Sequence, residues 1–205
     1  MKVGIVDYEG GNLASVQCAV NHLGYSAEIT SDPEVLLNSD KVIFPGVGAA
    51  KATMSALSRA GLVKVLKEDL PAKGIPCLGI CIGIQVLFEF SEEENTETLG
   101  IFKGRVKRFP EDDSLKVPHI GWNQVHFTEM DSPFLKGVKQ DDHFYFVNSF
   151  YVEPEDSEMV LGYTQYGPVK FCSLIRQGTW TASQFHLEKS GRAGLKLLEN
   201  FLNEA

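Results

Sequence analysis

The sequence contains few cysteines, no long apolar segment and fewer basic than acidic residues. Its 205 residues include four cysteines and no Cys-x-x-Cys pair, which excludes a disulfide scaffold and favours a cytoplasmic protein with reduced thiols. No apolar run approaches the roughly 18 residues that cross a bilayer, and residues 1–7 are more typical of a first strand than of a signal peptide. With 19 basic and 27 acidic residues the net charge is −8, so we expect no nucleic-acid partner and no membrane partner.

The length and composition predict one globular domain over residues 1–205. Apolar residues make up 43% of the chain, which is ordinary for a globular protein with a single core. The length leaves little room for two catalytic domains, so a reaction that needs a second active site would use another polypeptide. The turn at residues 46–49 lacks the third glycine of a dinucleotide-binding fingerprint, and we expect no cofactor and no metal.

Strand and helix signals alternate in the first half of the chain, and strand signals dominate the second half. Such alternation is typical of βαβ units around a parallel sheet, which binds ligands at the carboxyl ends of its strands. We therefore predict an α/β, flavodoxin-like fold, with a central, mostly parallel sheet flanked by helices and a smaller antiparallel sheet. The predicted strands cover residues 2–7, 25–29, 41–44, 75–79, 101–108, 122–127, 144–152, 159–163, 169–174 and 179–185. The predicted helices include residues 12–23, 82–90 and 191–202, and residues 91–98 are predicted to be a solvated acidic loop.

Cys81 lies between two glycines at a predicted strand-to-helix turn, in the segment Gly79-Ile80-Cys81-Ile82-Gly83. This is the nucleophile-elbow pattern with cysteine in place of serine. A tight turn projects the side chain above the sheet edge, and the N-terminus of the following helix favours thiolate over thiol. The backbone N–H after the nucleophile can also bind a developing oxyanion. We therefore predict that Cys81 is the nucleophile and that the other three cysteines, Cys18, Cys77 and Cys172, are packing residues.

A thiolate nucleophile needs a base and a group that orients the base, and His186 with Glu188 best meets this need. His186 follows the predicted strand 179–185, whose end should lie at the same edge of the sheet as Cys81. In an extended segment, residues i and i+2 point the same way, so the Glu188 carboxylate can reach the imidazole. A stiff loop around His119 favours a positioning role for that residue. The remaining histidines, predicted to be structural, are His22, His126 and His143.

Two motifs resemble the class I glutamine amidotransferases, which hydrolyse glutamine to glutamate and ammonia with a Cys–His–Glu triad. They are Gly-Ile-Cys-Ile-Gly-Ile-Gln at residues 79–85 and Gln-Phe-His-Leu-Glu-Lys-Ser at residues 184–190. Further segments resemble the branch of that family whose ammonia passes to a (β/α)8 cyclase, which forms imidazole glycerol phosphate and an aminoimidazole carboxamide ribotide in histidine biosynthesis. These segments are residues 11–16, 45–49, 118–123 and 145–149. The resemblance therefore implies one type-1 glutamine amidotransferase domain over the whole chain.

The resemblance also implies a role for each matching residue. Cys81 would attack the glutamine amide to give a thioester, His186 would carry the proton to departing ammonia and later activate water, and Glu188 would orient His186. The backbone groups implied for the oxyanion hole are those of Val47, Gly48 and Ile82. The implied substrate contacts are Gly46, Gln85, Asn148, Ser149 and Phe150. The implied contacts with a (β/α)8 cyclase, in a heterodimer, are Gly11, Asn12, His119, Trp122 and Lys189.

Three residues depart from the family pattern. Leu187 replaces the proline that usually separates the catalytic His and Glu, Asn148 stands where many relatives have His, and Ala14 stands where a basic residue is common. These departures leave open a second interpretation, in which a paralogous glutaminase supplies ammonia to a sugar-modifying synthetase in surface polysaccharide assembly. A thiol hydrolase, a redox sensor or a non-catalytic binding module would also fit the fold, but none of these needs Gln85 or the segment around Trp122.

Overall fold

The computed structural model describes residues 1–111 and 115–204, and this part of the chain forms two sheets and a set of helices. The strands are β1 (Lys2–Val6), β2 (Ser26–Thr30), β3 (Lys41–Gly46), β4 (Cys77–Cys81), β5 (Phe90–Ser91), β6 (Thr96–Glu97), β7 (Gly104–Arg108), β8 (His119–Gln124), β9 (His126–Phe127), β10 (His143–Asn148), β11 (Phe150–Pro154), β12 (Val160–Tyr166), β13 (Val169–Gln177) and β14 (Trp180–Ser183). The α-helices are α1 (Leu13–His22), α2 (Pro33–Leu37), α3 (Ala50–Arg59), α4 (Leu62–Lys64), α5 (Leu70–Ala72), α6 (Ile82–Gln85) and α7 (Gly191–Asn203). A π-helical turn, Val65–Asp69, joins α4 to α5, and the 3-10 turns are Glu93–Asn95, Pro133–Leu135, Ser157–Met159 and Leu187–Lys189. In these residues no helix is long and apolar enough to span a membrane.

The main sheet has a parallel half and an antiparallel half. Strands β2, β1, β3, β4 and β14 lie side by side and run parallel. Strands β13, β11 and β7 continue the sheet in antiparallel pairing, and β12 extends it on a second branch. Strands β8 and β10 form a separate antiparallel pair. The predicted α/β class, with a mostly parallel sheet and a smaller antiparallel sheet, is confirmed.

The central strands are apolar on both faces because helices and loops cover both sides of the sheet. In β3, the side chains of Val42 and Phe44 pack into one buried cluster, whereas Ile43 packs into the other. Helix α1 and helix α7 contribute to the cluster that contains Ile43, and α3 contributes to the cluster that contains Phe44. This two-sided burial fixes the register of the parallel strands, since a shift by one residue would exchange the two faces.

The register of three parallel strands brings three chain segments to one edge of the sheet. Gly46 at the end of β3 lies opposite Cys81 at the end of β4, and Ser183 at the end of β14 lies opposite Ile80. The loop after each strand therefore begins at the same edge, where open α/β sheets bind their ligands.

The predicted helix over residues 82–90 is wrong in its length, because α6 ends at Gln85. The carbonyl groups of Val86, Leu87 and Phe88 accept hydrogen bonds from the N–H groups of residues 99–101 instead of continuing a helical ladder. All three side chains are buried, so this segment has no exposed face such as a surface helix shows. In place of the predicted second half of the helix, the chain forms a buried turn that is hydrogen-bonded to residues 99–101.

Two other segments differ from the predicted elements. The acidic residues 91–98 contain one strand end, one 3-10 turn and the short strand β6, which pairs with β5, so they are more than a solvated loop. The predicted strand over residues 144–152 is interrupted at Ser149, where the chain leaves the small sheet at the end of β10 and enters the main sheet in β11. This crossing brings residues 147–150 to the edge of the sheet that carries Cys81.

Candidate active site

Cys81 sits at a strained turn between β4 and α6. Its backbone has φ +58° and ψ −105°, a conformation that residues other than glycine rarely adopt. The neighbouring glycines leave the space that the turn needs: a Cβ on Gly83 would lie 2.3 Å from the carbonyl oxygen of Phe44, and a Cβ on Gly79 would lie 3.0 Å from the Cβ of Ala182. The thiol is therefore held at the carboxyl edge of the sheet, at the beginning of a helix.

His186 and Glu188 form a buried pair beside this turn. The Nδ1 atom of His186 lies 2.9 Å from Oε1 of Glu188, and the two side chains are only 3% and 2% exposed. The predicted extended segment between them is wrong, because residues 187–189 form one turn of 3-10 helix with His186 as its N-cap. The turn is fixed by Ser190, whose hydroxyl donates to the His186 carbonyl and accepts from the Tyr145 N–H.

The imidazole of His186 also faces the thiol of Cys81. Burial lowers the pKa of His186, but hydrogen bonds with Cys81 and Glu188 outweigh this effect and raise the pKa to about 9. His186 is therefore an imidazolium at neutral pH, placed between the sulfur and a carboxylate. Because its pKa lies above the ordinary value of 6.5, this charged form stabilises the fold fully below pH 6.5, and the contribution is lost as the pH rises through about 9.

Gln184 and Gln85 link Cys81 to the segment around Phe150. The Gln85 amide nitrogen donates to the Phe150 carbonyl at 3.1 Å and to Oε1 of Gln184 at 3.0 Å, and Nε2 of Gln184 lies 3.8 Å from Cys81 Sγ. Gln85 was a predicted substrate contact, but its nitrogen is occupied by the protein. Gln184 was missed, although it lies two residues before His186 in the sequence, a spacing that puts both side chains on one face of an extended chain.

A cavity of about 290 Å³ opens beside the Cys81 sulfur. It is lined by Val47, Gly48, Cys81, Ile82, Gln85, Glu93, Pro118, Val147, Asn148, Ser149, Phe150, His186 and Lys189. Most of the residues predicted for the oxyanion hole and for substrate contact therefore meet around one space. Gly46 does not line it: Gly46 is buried, and a Cβ there would lie 1.8 Å from the Tyr8 hydroxyl, so its role is close packing behind the site.

Glu93 is a cavity residue that the sequence argument missed. It belongs to the acidic segment that was predicted to be a solvated surface, but its Oε2 atom accepts the Ala50 N–H at 2.7 Å and its side chain lines the cavity. Lys189 provides a positive charge on the same cavity and is itself exposed. The cavity thus offers one carboxylate and one ammonium group besides the thiol of Cys81. In the residues described, no group of three or more His, Cys, Asp or Glu side chains could hold a metal ion.

His119 occupies a different place from the one predicted. It was expected in a loop at a partner interface, but it lies in β8, is 3% exposed and stacks between Tyr166 and Phe146 with ring centroids 3.9 Å and 4.9 Å away. Burial lowers its pKa to about 4, against a smaller opposite effect of Asn148. The side chain is therefore a neutral core residue opposite Asn148 in the β8–β10 pair, and it does not reach the surface.

Of the other predicted interface residues, Lys189 lines the cavity, and the rest are exposed or half-buried. Gly11 is exposed with φ +96°, Asn12 is half-buried and Trp122 is 55% exposed. Val47 and Val147, which line the cavity, are 44% and 37% exposed, and Ile120, which pairs with Val147, is 60% exposed. We call Val47, Ile120, Trp122 and Val147 the apolar rim. An apolar surface of this kind beside a polar cavity is typical of a protein–protein contact.

Comparison with known proteins assigns the whole chain to one family description. The family described as glutamine amidotransferase class-I matches residues 5–205. A relative from Dehalococcoides mccartyi (strain ATCC BAA-2266 / KCTC 15142 / 195), named imidazole glycerol phosphate synthase subunit HisH, is 48% identical over 99% of this chain and 97% of its own length. Relatives with the same name from Acinetobacter baylyi and Neisseria meningitidis are 43% and 45% identical, over 98% and 99% of this chain and 97% and 100% of their own lengths.

Solved structures with low sequence identity share the fold. The crystal structure of a glutamine amidotransferase superposes with a TM-score of 0.74 at 19% identity, over 98% of this chain and 96% of that chain. A glutamine amidotransferase from Thermotoga maritima superposes with a TM-score of 0.67 at 16% identity, over 98% of this chain and 96% of that chain. The glutaminase domain of Trypanosoma brucei CTPS superposes with a TM-score of 0.68 at 16% identity, over 100% of this chain and 95% of that chain.

The pairing of His186 with Glu188 predicts the titration of the imidazole. We expect His186 to lose its proton near pH 9 in the wild type, and at lower pH in Glu188→Gln, because the amide cannot stabilise the imidazolium as a carboxylate does. The measurement is an NMR titration of the imidazole carbon-bound protons. An unchanged titration in Glu188→Gln, with the fold intact, would show that the contact with Glu188 does not set the charge of His186.

Proposed function

The chain belongs to the class I glutamine amidotransferases, in the group of imidazole glycerol phosphate synthase HisH subunits, and we propose that it hydrolyses L-glutamine to L-glutamate and ammonia through Cys81, His186 and Glu188. Membership of this family makes the chain one of the enzyme subunits with glutamine amidotransferase function in histidine biosynthesis. The observation that carries the proposed chemistry is the contact of a buried His–Glu pair with a thiol that faces a cavity.

The proposed reaction has two halves. The Cys81 thiolate attacks the side-chain carbonyl carbon of glutamine, and the oxyanion lies near the Ile82 N–H and the backbone of Val47 and Gly48. His186 gives its proton to the nitrogen, the carbon–nitrogen bond breaks and ammonia leaves, so that Cys81 holds a γ-glutamyl thioester. Neutral His186 then takes a proton from water, the resulting hydroxide attacks the thioester, and glutamate leaves as the thiolate–imidazolium pair forms again.

The charges around the cavity support glutamine as the substrate. The α-ammonium group of a free amino acid fits the Glu93 carboxylate, which the Ala50 N–H holds in place. The Asn148–Phe150 segment lines the same cavity and supplies polar backbone groups for the rest of the substrate. The cavity volume of about 290 Å³ lies at the small end of the range for ligand sites, which suits one amino acid.

We propose that the partner is the (β/α)8 cyclase subunit of imidazole glycerol phosphate synthase, in a heterodimer. Ammonia is released into the cavity beside Cys81, and the apolar rim around that cavity is exposed. A partner seated on this rim would cover the cavity mouth and keep ammonia from the solvent. Gly11, Asn12, Trp122 and Lys189 stay as proposed contacts, and a cytoplasmic location stays a prediction.

Replacement of the nucleophile tests the reaction. Cys81→Ser is expected to lower glutamine hydrolysis by at least about 1000-fold, because a serine hydroxyl beside His186 is not ionised. The complex should still convert its ribotide when ammonium salts replace glutamine, since the partner's site is unchanged. Both activities are measured with the purified complex. Glutamine-dependent turnover near the wild-type rate would exclude Cys81 as the nucleophile.

The identity of the partner is tested by stimulation of the glutaminase. A (β/α)8 cyclase with its ribotide substrate should stimulate glutamine hydrolysis, and Trp122→Ala should weaken binding of the cyclase by roughly tenfold or more, since exposed tryptophans at interfaces are frequent hot spots. Met130→Ala serves as a matched control, because Met130 is an apolar residue that is 40% exposed but does not belong to the apolar rim. Stimulation by a sugar-modifying synthetase, without any response to the cyclase, would favour the paralogous pathway.

A further inference from the structure

Gln184 is a buried amide beside the nucleophile that the proposed reaction does not use. It directly follows β14 and is fully buried. Its backbone N–H donates to the Ser173 carbonyl at 2.9 Å, its Oε1 accepts from Gln85 at 3.0 Å, and its Nε2 lies 3.8 Å from Cys81 Sγ. A buried amide with both side-chain polar atoms engaged has a fixed place in the site.

The orientation of the Gln184 amide follows from a chain of hydrogen bonds that begins at a backbone carbonyl. The Phe150 carbonyl can only accept, and it accepts from Gln85 Nε2 at 3.1 Å and from Asn148 Nδ2 at 3.0 Å. The same Gln85 nitrogen faces Gln184, so the Gln184 atom that meets it must be the oxygen. The NH2 group of Gln184 is then the end that faces the Cys81 sulfur.

We propose that Gln184 is a catalytic residue that donates a hydrogen bond to the Cys81 thiolate and stabilises this thiolate both before attack and as the leaving group of the second half-reaction. The proposal rests on the proposed function for the identity of the reaction. A thiolate accepts an N–H more strongly than a thiol or a thioester sulfur does, because its charge is localised on sulfur. The amide stays neutral throughout, so it stabilises the thiolate without competing with His186 for the proton.

Gln184 complements His186 because its hydrogen bond does not depend on a proton that the reaction moves. His186 gives its proton away as ammonia leaves, and it stays neutral until it takes a proton from water in the second half-reaction. The Gln184 N–H groups remain in place, since Gln85 holds the amide and itself donates to the Phe150 carbonyl, and neither contact titrates. The sulfur therefore has this donor at every stage, and the thiolate that leaves when the carbon–sulfur bond breaks meets the Gln184 N–H as well as the reprotonated His186.

The test measures the ionisation of Cys81 in the absence of glutamine. Full-length chain with Cys18→Ser is alkylated with iodoacetamide over a range of pH, and modification of Cys81 is followed by mass spectrometry. The substitution is needed because Cys18 is exposed, so its prediction as a packing residue is wrong. Gln184→Met introduces a side chain of similar size that has no N–H. We expect this variant to move the alkylation profile to higher pH by about one unit, which lowers the alkylation rate at neutral pH about tenfold. Gln184→Asn, whose amide is too short to reach both Gln85 and the sulfur, should move it the same way.

A matched control and a second measurement complete the test. Thr181→Val replaces a buried polar side chain in β14 and should keep the original profile. In the wild type, the Gln184 side-chain amide protons should shift in NMR spectra as Cys81 ionises, and this shift should be absent in Cys81→Ala, so the proposal can be tested even if the Gln184 variants do not fold.

The proposal is overturned if folded Gln184 variants give the same alkylation profile as the parent chain. It is also overturned if the Gln184 side-chain amide resonances do not shift as Cys81 ionises. Failure of the proposed function looks different, because the wild type would then not hydrolyse glutamine whatever the alkylation profiles show. If the proposal holds, kcat/KM for glutamine should also fall by about 10-fold to 100-fold in Gln184→Met, in line with the loss of one donor to a developing charge.

Discussion

The positive φ of Cys81 is the constraint on which the rest of the site depends. A conformation of this kind costs about 1–3 kcal/mol in a residue other than glycine, and it persists because both neighbouring strands hold β4 in register. The same turn directs the sulfur to the cavity and starts α6 with the Ile82 N–H beside it. Glycines at positions 79 and 83 follow from this geometry, since any Cβ there would meet the chain.

The second requirement is that buried charged groups find partners. His186 and Glu188 are almost fully covered, and a single buried charge of either kind would be very unfavourable. Their contact, together with the Cys81 thiol, raises the pKa of His186 to about 9 despite burial. Three buried amides have partners as well. The side-chain nitrogens of Gln85 and Asn148 donate to the Phe150 carbonyl, and that of Gln184 faces the Cys81 sulfur. Hydrogen bonds therefore connect the inner side of the site, while its outer side is the exposed apolar rim.

The sequence alone was sufficient for the fold class and for the residues proposed as the triad. The pattern Gly-x-Cys-x-Gly and the pair His186 and Glu188 are local, and the alternation of strands and helices predicts where their segments meet. What could not be predicted depends on long-range contacts. From the sequence, Glu93 is a surface acid, but in the structure its carboxylate accepts the Ala50 N–H at the start of α3. From the sequence, His119 is a loop residue, but in the structure its ring is stacked between Tyr166 and Phe146. The helix after Cys81 is shorter than predicted for the same reason, since the N–H groups of residues 99–101 donate to the carbonyls of residues 86–88.

Direct observation of the covalent intermediate tests the central claim, that Cys81 is the residue at which glutamine is cleaved. The complex is mixed with isotopically labelled glutamine, quenched in acid within the first turnovers and digested, and the peptides are analysed by mass spectrometry. We predict a labelled γ-glutamyl group that fragmentation assigns to Cys81 and not to Cys77, which lies four residues earlier on the same tryptic peptide, and no label on the peptides that contain Cys18 or Cys172. Two results would contradict the assignment of Cys81. Glutamine is hydrolysed at a normal rate but the label lies on another residue, or no labelled peptide is found under conditions that preserve thioesters.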